Sequence, residues 1–221
     1  MQSSEQRNFW DDHIGDWSAS AYERGQKLPF LERVAQPFRK HLKTRQVMAV
    51  SILQSWSPNA VVELGCGTGE FACAFLQASN TTRRYEAIDI SDAAIVKVRQ
   101  RLERNAGAGV NATARVSAVE DLDPGEFRDF DVVVGLGLLP YLTDTGFEKL
   151  SAMSQGKKFL FDDHPKEPTL FNGLHFLYRR ATGYPFYRIF AESELKKTMA
   201  GFGFAEFEII RNGPLRFLRS L

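Results

Sequence analysis

From residue 60 onward the chain alternates short, nearly unbroken apolar runs with longer stretches whose apolar residues recur every three or four positions. AVVEL (60–64), RYEAIDI (84–90), ATARVSAV (112–119), FDVVVGLG (130–137) and KKFLFDD (157–163) are short and mostly rich in β-branched or aromatic residues, and they read as strands. EFACAFLQA (70–78), SDAAIVKVRQRLERN (91–105) and TDTGFEKLSAMS (143–154) read as helices, with Ser91 placed to cap the second. Further on, ESELKKTMAG (192–201) predicts a helix closed by glycine, and AEFEIIRN (205–212) with LRFLRSL (215–221) predicts a final antiparallel pair. Upstream, Val47, Val50, Ile52 and Leu53 give residues 37–55 helical spacing, and SPN at 57–59 ends that helix. Strands alternating with helices imply a mostly parallel sheet covered on both faces. The expected fold is therefore α/β: a Rossmann-like seven-stranded mixed sheet, with the last strand antiparallel.

Two stretches fall outside the alternation. Residues 1–26 are polar yet carry Phe9, Trp10, Trp17 and Tyr22, which predicts a segment that folds back as a helical lid. Residues 164–190 are crowded with aromatics and follow the fifth strand, which predicts an insertion over the ligand end of the sheet. The expected organisation is one domain over 1–221. Its parts are N-terminal helices and lid (1–56), a cofactor-binding core (57–163), an acceptor-side insertion (164–190) and a C-terminal helix and hairpin (191–221).

Composition narrows the classes. Lys and Arg number 28 against 27 Asp and Glu, so no basic excess points to nucleic acid. Two cysteines, Cys66 and Cys73, exclude a disulfide framework and make a poor zinc site, so no metal is expected. No run of about 18 apolar residues predicts a membrane span, and MQSSEQRNFWDDH does not read as a signal peptide. The expectation is a cytoplasmic protein, monomeric or homodimeric.

Chemistry concentrates where the first strand meets VVELGCGTGE (61–70). In a doubly wound sheet, ligands bind beyond the carboxyl ends of the strands. Gly65, Gly67 and Gly69 let backbone approach such a ligand closely. A pyrophosphate fingerprint would be G-x-G-x-x-G, but here the third glycine comes one residue early and Glu70 stands in its place. An acid beside a helix N-terminus opposes phosphate, which counts against NAD. Asp89 closes the second strand, where a carboxylate reaches ribose hydroxyls. A ribose without a phosphate suggests S-adenosylmethionine.

VVELGCGTGEFA resembles the first motif of class I S-adenosylmethionine-dependent methyltransferases, AIDIS their second, and FDVVVGLGLLPYLTD their fourth-strand motif. The resemblance covers residues from about 40 to the end. It implies that Glu63 and the loop Gly65–Cys66–Gly67–Gly69 hold the methionine part of the cofactor, and that Asp89 holds the ribose with Ile90 on the adenine. It further implies that Val119 and Glu120 edge the adenine and that Gly135 and Leu136 close the methionine end. WDDHIGDW resembles the segment that covers the cofactor in small-molecule members, with Trp17 at a common aromatic position. Two departures stand out. Ala118 replaces the aspartate that many relatives set against the adenine amine, which leaves Glu120, Asp121 or backbone for that task. Tyr141 replaces a frequent histidine. The aromatic insertion and the Gly-Phe turn after the last helix resemble magnesium-protoporphyrin methyltransferases and enzymes of glycan or lipid pathways in outline.

A methyl group leaving a sulfonium yields a neutral thioether and S-adenosylhomocysteine. Alignment therefore supplies most of the acceleration, on the order of 7–11 kcal/mol. An alcohol or phenol acceptor also needs a base. His164, ending the fifth strand as FDDHP beside Asp163, is the leading candidate, and Tyr141 either lines the acceptor pocket or packs the core. His13, His41 and His175 read as surface or packing residues. Arg179, Arg180 and Arg188 stand among Phe176, Tyr178, Tyr184, Phe186 and Tyr187. They read as a pocket for a large anionic acceptor, as a peripheral lipid-facing surface, or as an ordinary aromatic cap. The expected activity is methyl transfer to a small molecule, at oxygen, in biosynthesis. The alternatives are transfer to an amine or to a glycan or lipid intermediate, a NAD-dependent oxidoreductase, and a cofactor-binding protein without catalysis.

Overall fold

The computed structural model describes residues 2–22, 40–107, 109–163, 165–166, 187–204, 206–212 and 215–221. In chain order the elements are α1 (Gln2–Tyr22), α2 (Lys40–Trp56), β1 (Ala60–Leu64), α3 (Glu70–Ala78), β2 (Arg84–Asp89), α4 (Asp92–Asn105) and β3 (Asn111–Val116). They continue with β4 (Val132–Gly135), α5 (Asp144–Ser154), β5 (Lys158–Asp163), α6 (Glu192–Gly201), β6 (Phe207–Asn212) and β7 (Leu215–Ser220). The strands form one seven-stranded sheet in the order β3-β2-β1-β4-β5-β7-β6. β1 to β5 pair in parallel, and β7 runs antiparallel between β5 and β6. The chain order reverses at β1, which has β2 on one side and β4 on the other, so the switch point lies at its carboxyl end.

Alternation along each strand divides the core into two layers. Val61, Tyr85, Val132, Val134 and Leu160 pack with α2, α3 and α4 through Leu53, Phe75, Ile95 and Val98. Val62, Leu64, Val133, Phe159 and Phe161 pack with α5 and α6 through Phe147, Leu150, Leu195 and Met199. Each fully buried large side chain of this kind contributes about 1.5–3 kcal/mol from burial.

The expected elements are present among the described residues, and two differ in length. The strand expected over 112–119 ends at Val116, because its partner β2 ends at Asp89, the residue opposite. The strand expected over 130–137 stops at Gly135, because Gly137 turns the chain with φ +74°. The 164–190 insertion lies outside the described residues except at its ends, where Pro165 bridges to Phe190 and Lys166 N–H donates to the Phe190 carbonyl at 2.9 Å.

Where β5 meets β7, Asp163 lies opposite Arg216. Arg216 Nε donates to Asp163 Oδ1 at 2.7 Å, Nη2 donates to Oδ2, and Nη2 also reaches the Phe190 carbonyl at 3.0 Å. Both residues are buried. This pair ties the sheet to the segment returning from the insertion. Removing one partner of a buried pair leaves an uncompensated charge, so Asp163→Ala is expected to destabilise the protein by about 3–5 kcal/mol in denaturant unfolding. A loss below 1 kcal/mol would contradict a structural role for the pair.

Candidate active site

The turn after β1 is built from the end of β2. Gly65 and Cys66 N–H both donate to the Ile88 carbonyl, at 2.8 and 3.1 Å. Gly67 follows with φ +54°, and a Cβ placed there would meet nothing within 4 Å, so the backbone presents itself directly to open space. Gly69 precedes the first turn of α3 with φ +84°, and its missing side chain admits Val98 of α4, whose Cγ2 would stand 3.2 Å from a Cβ. The first glycine shapes the site; the last brings two helices together behind it.

Asp89 locks this turn. Its Oδ2 accepts from Gly67 N–H at 2.8 Å and its Oδ1 accepts from Ser91 N–H at 2.9 Å. Each oxygen keeps a lone pair for a ligand hydroxyl. Burial pushes the carboxyl up to about 6, against the lowering effect of its backbone donors. Ile90 beside it is half-buried.

Beside the turn a cleft of about 410 Å³, counted with its solvent mouth, is lined by Arg45, Glu63, the backbone of residues 65–67, Glu70, Phe71 and Leu136. Glu63 lies at its floor, and its Oε2 accepts from the Tyr85 hydroxyl at 2.6 Å. Burial raises this carboxyl to about 8. Burial also raises the Cys66 thiol well above its ordinary value, so it stays protonated and unreactive. Glu70 accepts from the Thr68 hydroxyl at 2.6 and 2.7 Å and pairs with Arg101. Thus the first turn of α3 presents a carboxylate to the cleft, where a phosphate-binding helix would present bare N–H groups.

The far wall comes from β4 and β5. Gly135 ends β4 against Leu138, whose Cδ2 would lie 3.0 Å from a Cβ there, so any side chain would have to push Leu138 aside. Gly137 N–H donates to Asp162 Oδ1, and Arg45 Nη1 of α2 stands 3.5 Å from Asp162 Oδ2. Arg45 and Asp162 escaped the sequence reading because their meeting joins α2 to β5 across more than a hundred residues. Asp162 and Asp163 point to opposite faces of β5, one toward Gly137 and Arg45 and one toward Arg216.

The remaining candidates divide. Val119 is buried in a 3-10 turn just past β3. The Glu120 side chain does not face outward for an adenine amine: its Oε1 accepts from the Thr143 hydroxyl at 2.8 Å and Thr143 N–H at 3.2 Å, capping α5. Asp121 is exposed. Tyr141 is half-buried in an aromatic corner, edge-on to Trp10 (5.6 Å) and Tyr187 (5.2 Å). Trp17 belongs to α1, but its side chain lies outside the described residues, as does all of His164. Asp163 is committed to Arg216 through both oxygens. Among the described residues no group of three or more His, Cys, Asp or Glu could hold a metal ion, and no helix is long and apolar enough to cross a membrane.

Residues 61–155 match a family model described as a methyltransferase domain. A search of curated proteins returns no match. Among solved structures, magnesium protoporphyrin IX methyltransferase from Synechocystis PCC 6803 with bound S-adenosylhomocysteine is similar over 99% of this chain and 98% of that one, at TM-score 0.72 and 18% identity. The N-terminal domain of EvdMO1, solved with S-adenosylhomocysteine and D-fucose, is similar over 79% of this chain and 80% of that one (TM-score 0.58, 15% identity). The small RNA methyltransferase HEN1 is similar over 81% of this chain but 25% of that one (TM-score 0.61, 14% identity).

The buried acid at the floor sets a pH dependence. Below about pH 4.5, the ordinary carboxyl value, Glu63 is protonated whether the chain is folded or not. Between that value and about 8 the unfolded chain has released the proton while the folded one retains it. Stability is therefore lost as pH rises through this window, by up to about 4 kcal/mol at the upper end. Glu63→Gln keeps an acceptor for Tyr85 and carries no charge. It is expected to raise the melting temperature by roughly 8–16 °C at pH 8 and to leave it unchanged near pH 4.5. An equal shift at both pH values would show that ionisation is not the cause.

Proposed function

We propose, for a chain that carries a class I S-adenosylmethionine-dependent methyltransferase domain, that the acceptor is a small molecule methylated at oxygen. The observation that carries the cofactor half of this reading is the Asp89 carboxylate, buried at the switch point, tied to Gly67 and still able to accept two hydroxyls. Facing it, the backbone of Gly67 is bare toward open space. Arg45 at the cleft wall is the fitting partner for the methionine carboxylate, and Glu63 with the carbonyls past β4 the fitting surroundings for its ammonium and sulfonium. No phosphate is accommodated beside Glu70.

The acceptor half rests on charge and shape. Cations and anions balance to a formal +1, which offers little to a phosphate backbone. The aromatic corner of Trp10, Tyr141 and Tyr187 provides flat apolar walls where the loop after β4 turns away. The relatives methylate a porphyrin in one case and small RNA in another, so fold alone does not select the acceptor. In the proposed reaction the acceptor oxygen attacks the methyl carbon in line, the carbon–sulfur bond breaks, and the pair of electrons stays on sulfur. The acceptor proton passes to a base, for which His164 at the end of β5 is the candidate. Transfer to an amine is the second reading, and it needs only a neutral nitrogen lone pair.

Two measurements test this. Calorimetry is expected to show micromolar binding of S-adenosylmethionine and S-adenosylhomocysteine, loss of both in Asp89→Ala, and no binding of NAD. Arg45→Met is expected to weaken S-adenosylhomocysteine by about 10- to 100-fold, as for a hydrogen bond between charged groups. The same variant should leave 5′-methylthioadenosine, which lacks the carboxylate, unaffected. Binding of NAD in preference to the adenosyl ligands would overturn the cofactor reading. Once an acceptor is in hand, His164→Ala is expected to reduce turnover at least 100-fold; unchanged turnover would favour the amine reading.

A further inference from the structure

The helix α1 lies across the switch point and is anchored on both of its sides. On one side Asp11 Oδ1 accepts from the Ser91 hydroxyl at 2.7 Å and from Ala93 N–H at 3.1 Å, at the start of α4 just past β2. On the other, Gln6 Nε2 donates to the Tyr141 carbonyl at 3.1 Å, in the turn past β4, and Trp10 stacks edge-on to the Tyr141 ring. Gln6 and Asp11 are five residues apart, or about 7.5 Å along a helix. β2 and β4 flank β1 and so stand roughly 9.6 Å apart. The two anchors, extended by their side chains, thus reach the loops on either side of the glycine turn. Gln6 is buried, as is Ile14 one turn beyond Asp11.

The Asp11 anchor does not end on an idle surface. Ser91 is fully buried. Its hydroxyl donates to Asp11 and accepts from Ala94 N–H at 3.0 Å, and its backbone N–H donates to Asp89 Oδ1 at 2.9 Å. The other oxygen of Asp89 accepts from Gly67. One continuous hydrogen-bonded chain therefore runs from the glycine turn through Asp89 and Ser91 to the lid.

We propose that Asp11 is a positioning residue that latches α1 over the cofactor, and that the Asp89–Ser91–Asp11 chain couples occupancy of the ribose site to closure of that lid. The inference deepens the cofactor reading above and rests on it. A ligand whose hydroxyls fix the Asp89 carboxylate also fixes Ser91 against it, which holds the Ser91 hydroxyl on Asp11. The latched helix in turn holds the ligand. Coupling of this kind is reciprocal at equilibrium: the ligand favours the latched state of α1, and the latch tightens the ligand by the same factor. The latch thereby sets how long the product thioether stays, a step that governs turnover in many enzymes with lids.

The probe is S-adenosylhomocysteine, with its release followed by stopped-flow displacement from the full chain. Asp11→Ala and Ser91→Ala are each expected to speed release about tenfold with the association rate changed less than threefold. The double variant should release no faster than either single one, because both break one chain. Asp11→Asn, which keeps an acceptor, should restore most of the residence time. Hydrogen exchange supplies an independent readout: the ligand should protect the amides of residues 4–14 in the unmodified chain and not in Ser91→Ala. Loss of the Ser91 cap lowers stability by itself, but that loss would not remove ligand-dependent protection of a different helix. Release rates within twofold of the unmodified chain, or effects of the two substitutions that multiply, would overturn the latch and leave the cofactor reading standing. Failure of the unmodified chain to bind S-adenosylhomocysteine would overturn the cofactor reading itself.

Discussion

The site depends on one carboxylate held out of water. Asp89 would be better solvated almost anywhere else, and its burial at the end of β2 raises its proton affinity accordingly. The compensation is local: Gly67 and Ser91 each give it a backbone N–H. Those two bonds define the geometry on both sides. Gly67 is drawn toward β2, which opens the glycine turn toward the cleft, and Ser91 is set so that its hydroxyl can cap α4 and meet α1. A neutral side chain at 89 would relieve the burial cost and undo the turn.

The cleft as a whole carries an excess of acids, and this excess has a direction. Glu63 and Glu70 line it with Arg45 as the cation, and just behind the lining Asp89 and Asp162 are, like Glu63, raised by burial, Asp162 being paired with Arg45. Such a site is costly when empty and is relieved by a ligand bearing more positive than negative charge. S-adenosylmethionine, with a sulfonium and an ammonium against one carboxylate, has that balance; a dinucleotide has the reverse. This balance accords with the cofactor proposed above. The burial of Glu63 also explains why Glu63→Gln is expected to gain stability at pH values where the unfolded chain ionises this residue.

Much of the cofactor half was legible in the sequence because its determinants are local. The strand, turn and helix of residues 60–78 carry their own period and punctuation, and the same holds for Asp89 with Ser91 after it. What escaped is what long-range contact decides. Arg45 looked like one more cation on a polar helix until Asp162 met it. Glu120 carried no sign in the sequence that one of its carboxylate oxygens would meet Thr143. Asp163 looked like the partner of its neighbour in sequence, yet the register of β5 against β7 gives it to Arg216. In each case the residue type was right for a polar task, and only the pairing of distant elements assigned the task.

This division follows the architecture. The cofactor half is assembled from consecutive units between residues 57 and 137, so its chemistry is written in short motifs. The aromatic corner proposed to face the acceptor is assembled where three separated segments meet: α1 through Trp10, the turn after β4 through Tyr141, and the returning chain through Tyr187. Arg188 fastens the last of these to the second, since its N–H donates to the Pro140 carbonyl at 2.7 Å and its guanidinium pairs with Asp144 at 2.8 Å. Gln6 fastens the first to the second through the Tyr141 carbonyl. The turn at 139–141 is thus gripped from both sides by hydrogen bonds to its own carbonyls, one from the Arg188 backbone N–H and one from the Gln6 side chain. The same turn therefore joins α1 to the returning chain through contacts on both of its sides.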